Sequence, residues 1–459
     1  MEEHDLRYLA ERYQGEAPRY TSYPTARELT SDFGIEQWRA ALAETVAFDA
    51  APSFAAYVHL PFCQTLCYFC ACNKVISRDG NRVDAYLDAL EREAGAYRDL
   101  LPAIPLEQLH WGGGTPNYLT AAQLERVYRI CEATFPHRLE NAELSVEIDP
   151  RTIQDEQLEL VARLGFNRLS LGVQDFDDTV QRAVNRVQPF ELVEGIVERA
   201  RALGFKGINF DLIYGLPEQT PASFDRTLEQ VLRLRPDRLA LYGYAHVPWA
   251  NKVQRALERF TIPQPEDRLR LLTKALQVFR DAGYLSIGLD HFALPTDSLA
   301  QAHRAGTLHR NFMGYTTQQS SMVLALGMSA ISQLPGALAQ NERALEDYIE
   351  ATERTGLAIV RGVRRSEEDR LRAAIIEQLL CYGRIDFAEF KAAWGKDCAK
   401  YFARELQALH ALEADALLEI DDSHLSVTER GMPFLRQVAT VFDSYLTKQE
   451  GTKAFSQAV

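Results

Sequence analysis

The sequence predicts an α/β protein, an open three-quarter (β/α)6 TIM-like barrel followed by a mostly α, winged-helix-like domain. Three observations predict it. Six apolar, strand-like runs are each followed by a helical pattern, which implies a parallel sheet with right-handed crossovers. Each run ends in, or leads into, a polar motif, the arrangement of a barrel whose active site lies on the C-terminal rim of its strands. Beyond about Ser366 the alternation stops, and amphipathic helices and a hairpin take over.

Taken in order, the first fifty residues are polar and aromatic. Pro18 to Thr25 reads as extended because its prolines disfavour helix, and a short helix is expected over Ile35–Ala47. The strands are expected at Phe54–Leu60, Gln108–Trp111, Glu143–Ile148, Arg168–Val173, Gly207–Ile213 and Arg238–Tyr244. Their helices fall at Val83–Leu100, Ala121–Phe135, Asp155–Leu164, Thr179–Leu203 with a break, Pro221–Leu234 and Glu266–Asp281. Leu285–His291 and Met322–Ser332 carry further strand-like runs, so extra elements follow an unclosed barrel. The last part reads as helices over Glu368–Cys381, Phe387–Ala393 and Cys398–Glu413, a hairpin of Leu417–Ile420 with Leu425–Thr428, and a final helix over Pro433–Lys448. The expected division is 1–50 as a segment near the site, 51–330 as the barrel, 331–365 as a connection and 366–459 as the C-terminal domain.

The formal charge of −14 argues against broad contact with nucleic acid, and the winged-helix-like region has few clustered basic residues. No apolar stretch reaches membrane-spanning length. The N-terminus has no secretory pattern, so the chain reads as cytoplasmic and reduced.

Four of the seven cysteines fall within ten residues: Cys63, Cys67, Cys70 and Cys72. Three thiolates at the first three positions can hold three irons of a cubane [4Fe–4S] cluster and leave the fourth iron open to a small molecule. Zinc would use paired C-x-x-C elements or histidines, and the remaining cysteines are scattered singly, which argues against disulfides. Cys131 and Cys381 read as core residues and Cys398 as exposed. A closed cluster with Cys72 as fourth ligand is the structural alternative. Against it, Cys72 lies only two residues after Cys70, in a chain far larger than an electron carrier needs.

Gly112-Gly113-Gly114-Thr115-Pro116 follows the second strand, where three glycines allow a ligand close to the backbone. Glu147, Gln174 and Asp211 suit hydrogen bonds to ribose hydroxyls or an amine. Arg186 has the bidentate fork for a carboxylate, and Phe69, between two cysteines, can stack on a flat base. Tyr57 lies two residues before His59 on the first strand.

With the cysteine loop, Gly-Gly-Gly-Thr-Pro resembles the radical S-adenosylmethionine (SAM) superfamily. Finer strings narrow the match: Tyr57 to Cys63, Cys67 to Lys74, His110 to Pro116, Asn209 to Pro217 and Leu308 to Thr317 are similar to the oxygen-independent coproporphyrinogen III oxidase family. The likeness begins at Arg19-Tyr20-Thr21-Ser22-Tyr23-Pro24 and runs close to full length. It implies an enzyme that cleaves SAM reductively to a 5′-deoxyadenosyl radical. That radical removes hydrogen from the ring A and B propionates of coproporphyrinogen III; each substrate radical then loses carbon dioxide and one electron to an acceptor, leaving a vinyl group, and two such conversions give protoporphyrinogen IX.

Carried across by position, Cys63, Cys67 and Cys70 match the cluster ligands and Cys72 the extra, non-ligating cysteine, placed with Tyr57 among the catalytic residues. The resemblance implies two SAM molecules. Tyr57, Gly113 and Glu147 match contacts to the first, and Phe69, Gly114, Thr115, Gln174, Arg186, Asp211, Ala245 and Ile331 contacts to the second. It further implies a flavodoxin- or ferredoxin-type reductant, a monomer, and an approach of Tyr20 and Tyr23 to the site. Ala71 stands where the family commonly has glycine, a strain if the position needs positive φ. His309, Arg310 and Asn311 are candidates for the substrate propionates.

The rival within the superfamily is a haem-trafficking relative, which lacks the fourth cysteine and carries His-Asn-x-x-Tyr-Trp; Cys72 and His309-Arg310-Asn311-Phe312 do not fit it. A tRNA-modifying enzyme would need a basic extension that is missing.

Overall fold

Twelve strands of the described residues join one sheet in the order β12-β11-β10-β9-β1-β2-β3-β4-β5-β6-β8-β7. They are β1 (Phe54–Leu60), β2 (Leu106–Gly113), β3 (Arg138–Ile148), β4 (Arg168–Gln174), β5 (Gly207–Tyr214), β6 (Arg238–Gly243), β7 (Leu285–Ile287), β8 (His291–Ala293), β9 (Met322–Leu326), β10 (Ile331–Leu334), β11 (Ala337–Asn341) and β12 (Ile359–Arg364). The computed structural model describes residues 3–13, 15–48, 53–101, 104–318, 322–446 and 455. The expected boundary between 50 and 51 therefore lies outside the described residues, as do the last two residues of the expected final helix.

β1 to β6 pair in parallel, as expected, and β9 adds a seventh parallel strand on the far side of β1. Antiparallel strands flank both ends and the sheet stays open. β1 is buried along its whole length, as a central parallel strand must be. In β3, β4 and β5 side chains alternate, so Leu144, Val146, Leu169, Leu171, Ile208 and Phe210 pack in the main core. The opposite face carries Glu143, Ser145, Glu147, Ser170, Asn209 and Asp211 into the barrel. The period-two pattern thus builds an apolar outside for the helices and a polar inside for chemistry.

At the N-terminal end of the strands the barrel is closed by buried ion pairs. Arg168 Nε lies 2.5 Å from Glu143, and Arg238 Nε lies 2.8 Å from Asp297. On the open side, Glu93 of the Gly80–Leu100 helix accepts hydrogen bonds from Gly327 N, Asn341 Nδ2 and the Tyr348 hydroxyl. Burial pushes its carboxyl up to about 7 despite these donors, and the contacts fix the β9–β10 turn against the helix layer.

A second core gathers residues from Leu371 to Phe442 together with Leu9, Ala10, Tyr20, Tyr23 and Leu269. Helices Glu367–Tyr382 and Phe387–Trp394 flank a three-stranded sheet of Arg384–Asp386, His424–Val427 and Leu418–Ile420, a winged-helix arrangement. Two helical expectations fail here. Cys398–Glu413 is broken into Cys398–Tyr401, Ala403–Ala408 and His410–Ala414, because the chain turns at Phe402 and Leu409 to bury both side chains completely. The final helix ends at Thr440, after which Asp443 turns in to accept from the Tyr20 hydroxyl at 3.0 Å. Cys398 is buried, contrary to expectation: it starts a helix capped by Asp397 and faces this core. The helix Glu3–Tyr13 carries no strong signal and was not anticipated. No helix of the described residues is long and apolar enough to cross a membrane.

Candidate active site

The cysteine loop leaves β1 and returns as a short parallel pair, Phe62–Cys63 against Val75–Ile76. It is tied down from three sides. Asn185 Nδ2 donates to Leu66 O at 2.8 Å, Gln254 Nε2 to Phe69 O at 3.1 Å, and Asn251 Nδ2 to Cys70 O at 2.8 Å. Cys63 and Cys67 are buried, Cys70 half-buried and Cys72 exposed. Arg151 and Arg186 donate to Cys67 Sγ at 3.4 and 3.5 Å, and Cys63 Sγ lies 3.3 Å from the Thr115 hydroxyl. Burial pushes the Cys63 thiol up to about 11. The Cys72 thiol donates to Cys70, and Lys74 and Arg186 add positive charge, so Cys70 ionises below the usual thiol range.

Among the described residues no three His, Cys, Asp or Glu side chains close on a single metal ion. A cubane asks for something wider, because each thiolate takes a different iron. Cys63, Cys67 and Cys70 border one cavity together with Cys72, and the first three, each met by a polar hydrogen, have the chemistry for that. Ala71 does not adopt positive φ, so alanine introduces no strain there.

The glycines at the end of β2 are required by close approach. A Cβ on Gly114 would lie 2.4 Å from Pro61 O, and Gly113 has φ +114° with its Cβ position 2.7 Å from the His59 ring. Gly114 N donates to Leu60 O at 2.9 Å and Thr115 N to Phe62 O at 3.0 Å. Glycine strand and cysteine loop are therefore one backbone unit. Gln174, at the β4 bulge, is held at φ +66°, a strained conformation at the rim of the site.

Two adjoining cavities meet at Cys72, Gly113 and Glu147. The first, about 310 Å³, is lined by Cys63, Cys67, Cys70, Phe69, Gly114, Thr115, Gln174, Arg186 and Asp211 among others. The second, about 630 Å³, is lined by Tyr57, His59, His110, Phe312, Ile331 and Arg361 among others. The structure thus gathers every residue expected to hold the cluster or SAM around these two cavities except Ala245, whose carbonyl accepts from Gln254 Nε2 at 2.9 Å beyond the end of β6. Ile331 groups with Tyr57, not with Phe69, because β10 lies on the β1 side of the sheet.

The two carboxylates differ. Burial opposes ionisation of Glu147, but the hydrogen bond and charge of His110 at 3.2 Å and the Gly113 N–H outweigh it, and Glu147 stays below its ordinary value. Asp211 is pushed up to about 6 by burial and by the Glu147 charge, against hydrogen bonds from Ser170 and Asn209. Arg186 spends much of its fork on the protein: it donates to Gly172 O at 2.6 Å and pairs with Asp149 at 3.2 Å.

Sequence reasoning missed Asp149, Arg151 and Lys74. Arg151 bridges Asp149 at 2.6 Å to Cys67, and Lys74 donates to Cys70 O at 3.0 Å; adjacency to the two motifs was the available signal. Of the propionate candidates, His309 turns to Glu377 at 3.3 Å, Arg310 lies over the Tyr315 ring at 5.0 Å, and Asn311 Oδ1 accepts from Met313 N. None of the three lines either cavity, whereas the next residues, Phe312 and Met313, line the larger one. Tyr20 and Tyr23 are buried in the second core, and Ala26 and Arg27 of the same segment reach the larger cavity.

Residues 57–231 match the radical SAM superfamily and residues 366–434 the HemN C-terminal domain. The chain is 42% identical over 451 residues to an oxygen-independent coproporphyrinogen III oxidase of Escherichia coli, covering 98% of both chains. It is 40% identical to one of Synechocystis, covering 98% of this chain and 97% of the other. A solved structure of Escherichia coli coproporphyrinogen III oxidase, described as a radical SAM enzyme, superposes with a TM-score of 0.88 at 42% identity, over 93% of this chain and 97% of that one.

Proposed function

Because the chain belongs to the oxygen-independent coproporphyrinogen III oxidase family of the radical SAM superfamily, we propose that it decarboxylates coproporphyrinogen III oxidatively without oxygen. The ring A and ring B propionates become vinyl groups, giving protoporphyrinogen IX for haem biosynthesis. The observation that carries this reading is near-full-length identity of 42% to enzymes of that name.

The superfamily uses a [4Fe–4S] cluster and SAM, which would together supply a carbon radical able to take hydrogen from the substrate, the cluster's electron being spent in forming it. Cys63, Cys67 and Cys70 would hold three irons and leave the fourth to SAM. Arg151 and Arg186, donating to Cys67 Sγ, stabilise negative charge on that sulfur. Gly113 and Gly114 let the backbone approach the ligand, and Thr115 orients Cys63 through its hydroxyl.

Two SAM molecules accord with the smaller cavity and the junction it shares with the larger one. Phe69, Gly114, Thr115, Gln174, Arg186 and Asp211 would surround one, with Phe69 against the base and Asp211 toward ribose hydroxyls. Tyr57, Gly113 and Glu147 would surround the other at the junction end of the larger cavity, where ionised Glu147 suits an ammonium group, leaving the end lined by Ile331 and Arg361 for substrate. Cys72 borders both cavities and Tyr57, hydrogen-bonded to His59 Nδ1 at 3.1 Å, borders the larger, so these two are assigned to the reacting centre. The catalytic unit in this reading runs past the expected boundary at 330 to Arg364, because 331–365 is not a connection but carries β10 to β12 of the same sheet, and 366–459 is a packing domain. The enzyme is read as a cytoplasmic monomer reduced by a flavodoxin- or ferredoxin-type donor.

The test is anaerobic reconstitution and reduction, followed by mass analysis of coproporphyrinogen III incubated with SAM. Two successive losses of formic-acid mass, with 5′-deoxyadenosine and methionine, are expected. Stable haem binding with no porphyrinogen product would overturn the assignment.

A further inference from the structure

Arg343 and Arg361 have no carboxylate partner among the described residues. Arg361, on β12, donates through Nε to neutral Gln340 on β11 at 2.8 Å. Arg343 follows β11, and its carbonyl accepts from Asn73 Nδ2 at 2.9 Å, which fixes it beside the residue next to Cys72. The pair stand close together: partial burial, and then the Arg343 charge, lower the Arg361 pKa. With Arg27, which lies over the Phe455 ring at 5.1 Å, they line the larger cavity.

Arg343 and Arg361 thus present two neighbouring positive charges to the cavity, in a chain whose net charge is −14, and suit an anion. Glu147, on the wall shared with the smaller cavity, is the one carboxylate lining this cavity among the described residues. The same cavity also carries apolar surface from Phe312, Met313, Ala330 and Ile331. A ligand with an apolar body and several carboxylates fits both features. The cavity also opens at Cys72 and Glu147 onto the one lined by the cluster cysteines, so such a ligand would present one edge to the reacting centre.

We propose that Arg27, Arg343 and Arg361 form the carboxylate-recognition wall of the substrate site, holding the propionates that are not reacting in a given turnover. This rests on the porphyrinogen oxidation proposed above and assigns its specificity to residues outside the expected His309–Asn311 stretch. Holding spare propionates of the four leaves the reacting one to project toward Cys72, and a turned macrocycle can offer the second reacting ring to the same centre.

The test uses the cluster-loaded enzyme and two probes, coproporphyrin III as a stable stand-in and its neutral tetramethyl ester, with binding followed by fluorescence under anaerobic conditions. Arg361→Ala and Arg343→Ala should each weaken the acid roughly 10- to 100-fold, as expected for a lost charge-assisted pair, leave the ester unchanged, and raise KM more than they lower kcat. Arg361→Lys should recover part of the loss. Iron content and the SAM-induced spectral change report folding; if Arg361→Ala loses iron, exposed Arg343 still decides the matter. Equal binding of the acid by wild type and variants would overturn the arginine wall while leaving the proposed reaction standing. Failure of the wild type to bind or convert the tetra-acid would overturn both.

Discussion

Replacing Gly114 by alanine should separate the cysteine loop from the glycine strand without unfolding the protein. The added methyl would lie 2.4 Å from Pro61 O and 2.5 Å from Pro61 C, and both are backbone atoms with no rotamer to yield. Relief requires the loop to move, which breaks the bonds from Gly114 N to Leu60 O and from Thr115 N to Phe62 O. Each is worth about 1 kcal/mol, and overpacking adds about 1–3 kcal/mol, so the loop's native geometry is disfavoured by roughly 3–5 kcal/mol. The strain falls on the cluster-bearing loop and not on the main core. Iron and sulfide content after anaerobic reconstitution should fall sharply, with a smaller change in Tm. Gly195→Ala is the control: it lies in the Phe190–Ala202 helix with nothing within 4 Å of its Cβ position, and should gain about 0.5–1 kcal/mol. Wild-type iron content and SAM response in Gly114→Ala would refute the reasoning.

Asp211→Asn should stabilise the ligand-free protein near neutral pH. A carboxyl raised to about 6 when folded, from about 3.9 when unfolded, costs about 3 kcal/mol above pH 6 and nothing below pH 4. Imperfect replacement of the bonds from Ser170 and Asn209 returns about 1 kcal/mol, so denaturant titrations should show a net gain of about 1–2 kcal/mol at pH 7.5 that shrinks as pH falls through 6. A gain independent of pH would contradict the assignment. Cys72→Ser should keep the cluster and lose turnover, whereas Cys63→Ser should lose iron; iron analysis beside product analysis separates the two outcomes.

The six barrel strands were legible because their apolar runs are continuous and each is followed by a helical period. The rim residues were legible because they sit at the ends of those runs. Alternation within the strands already encoded the polar interior, as Glu143-Leu144-Ser145-Val146-Glu147 shows. β7 and β8 were blurred into one run because each is only three residues long. The His309–Asn311 stretch lines neither cavity, for a local reason. Consecutive strand residues point to opposite faces, and Glu377 on the neighbouring helix accepts from both the His309 ring and Arg310 N. Arg343 and Arg361 carry no motif and lie nearly 300 residues from the cysteine loop, so sheet pairing alone brings them to the cavity.

The central claim is that three cysteines hold the cluster and leave one iron for SAM. Electron paramagnetic resonance of the reduced, reconstituted enzyme titrated with SAM labelled at its amino nitrogen and carboxylate tests it most directly. The account predicts a changed cluster signal with hyperfine coupling to both labels, retained in Cys72→Ser. A signal indifferent to SAM, or a cluster that needs Cys72, would contradict it.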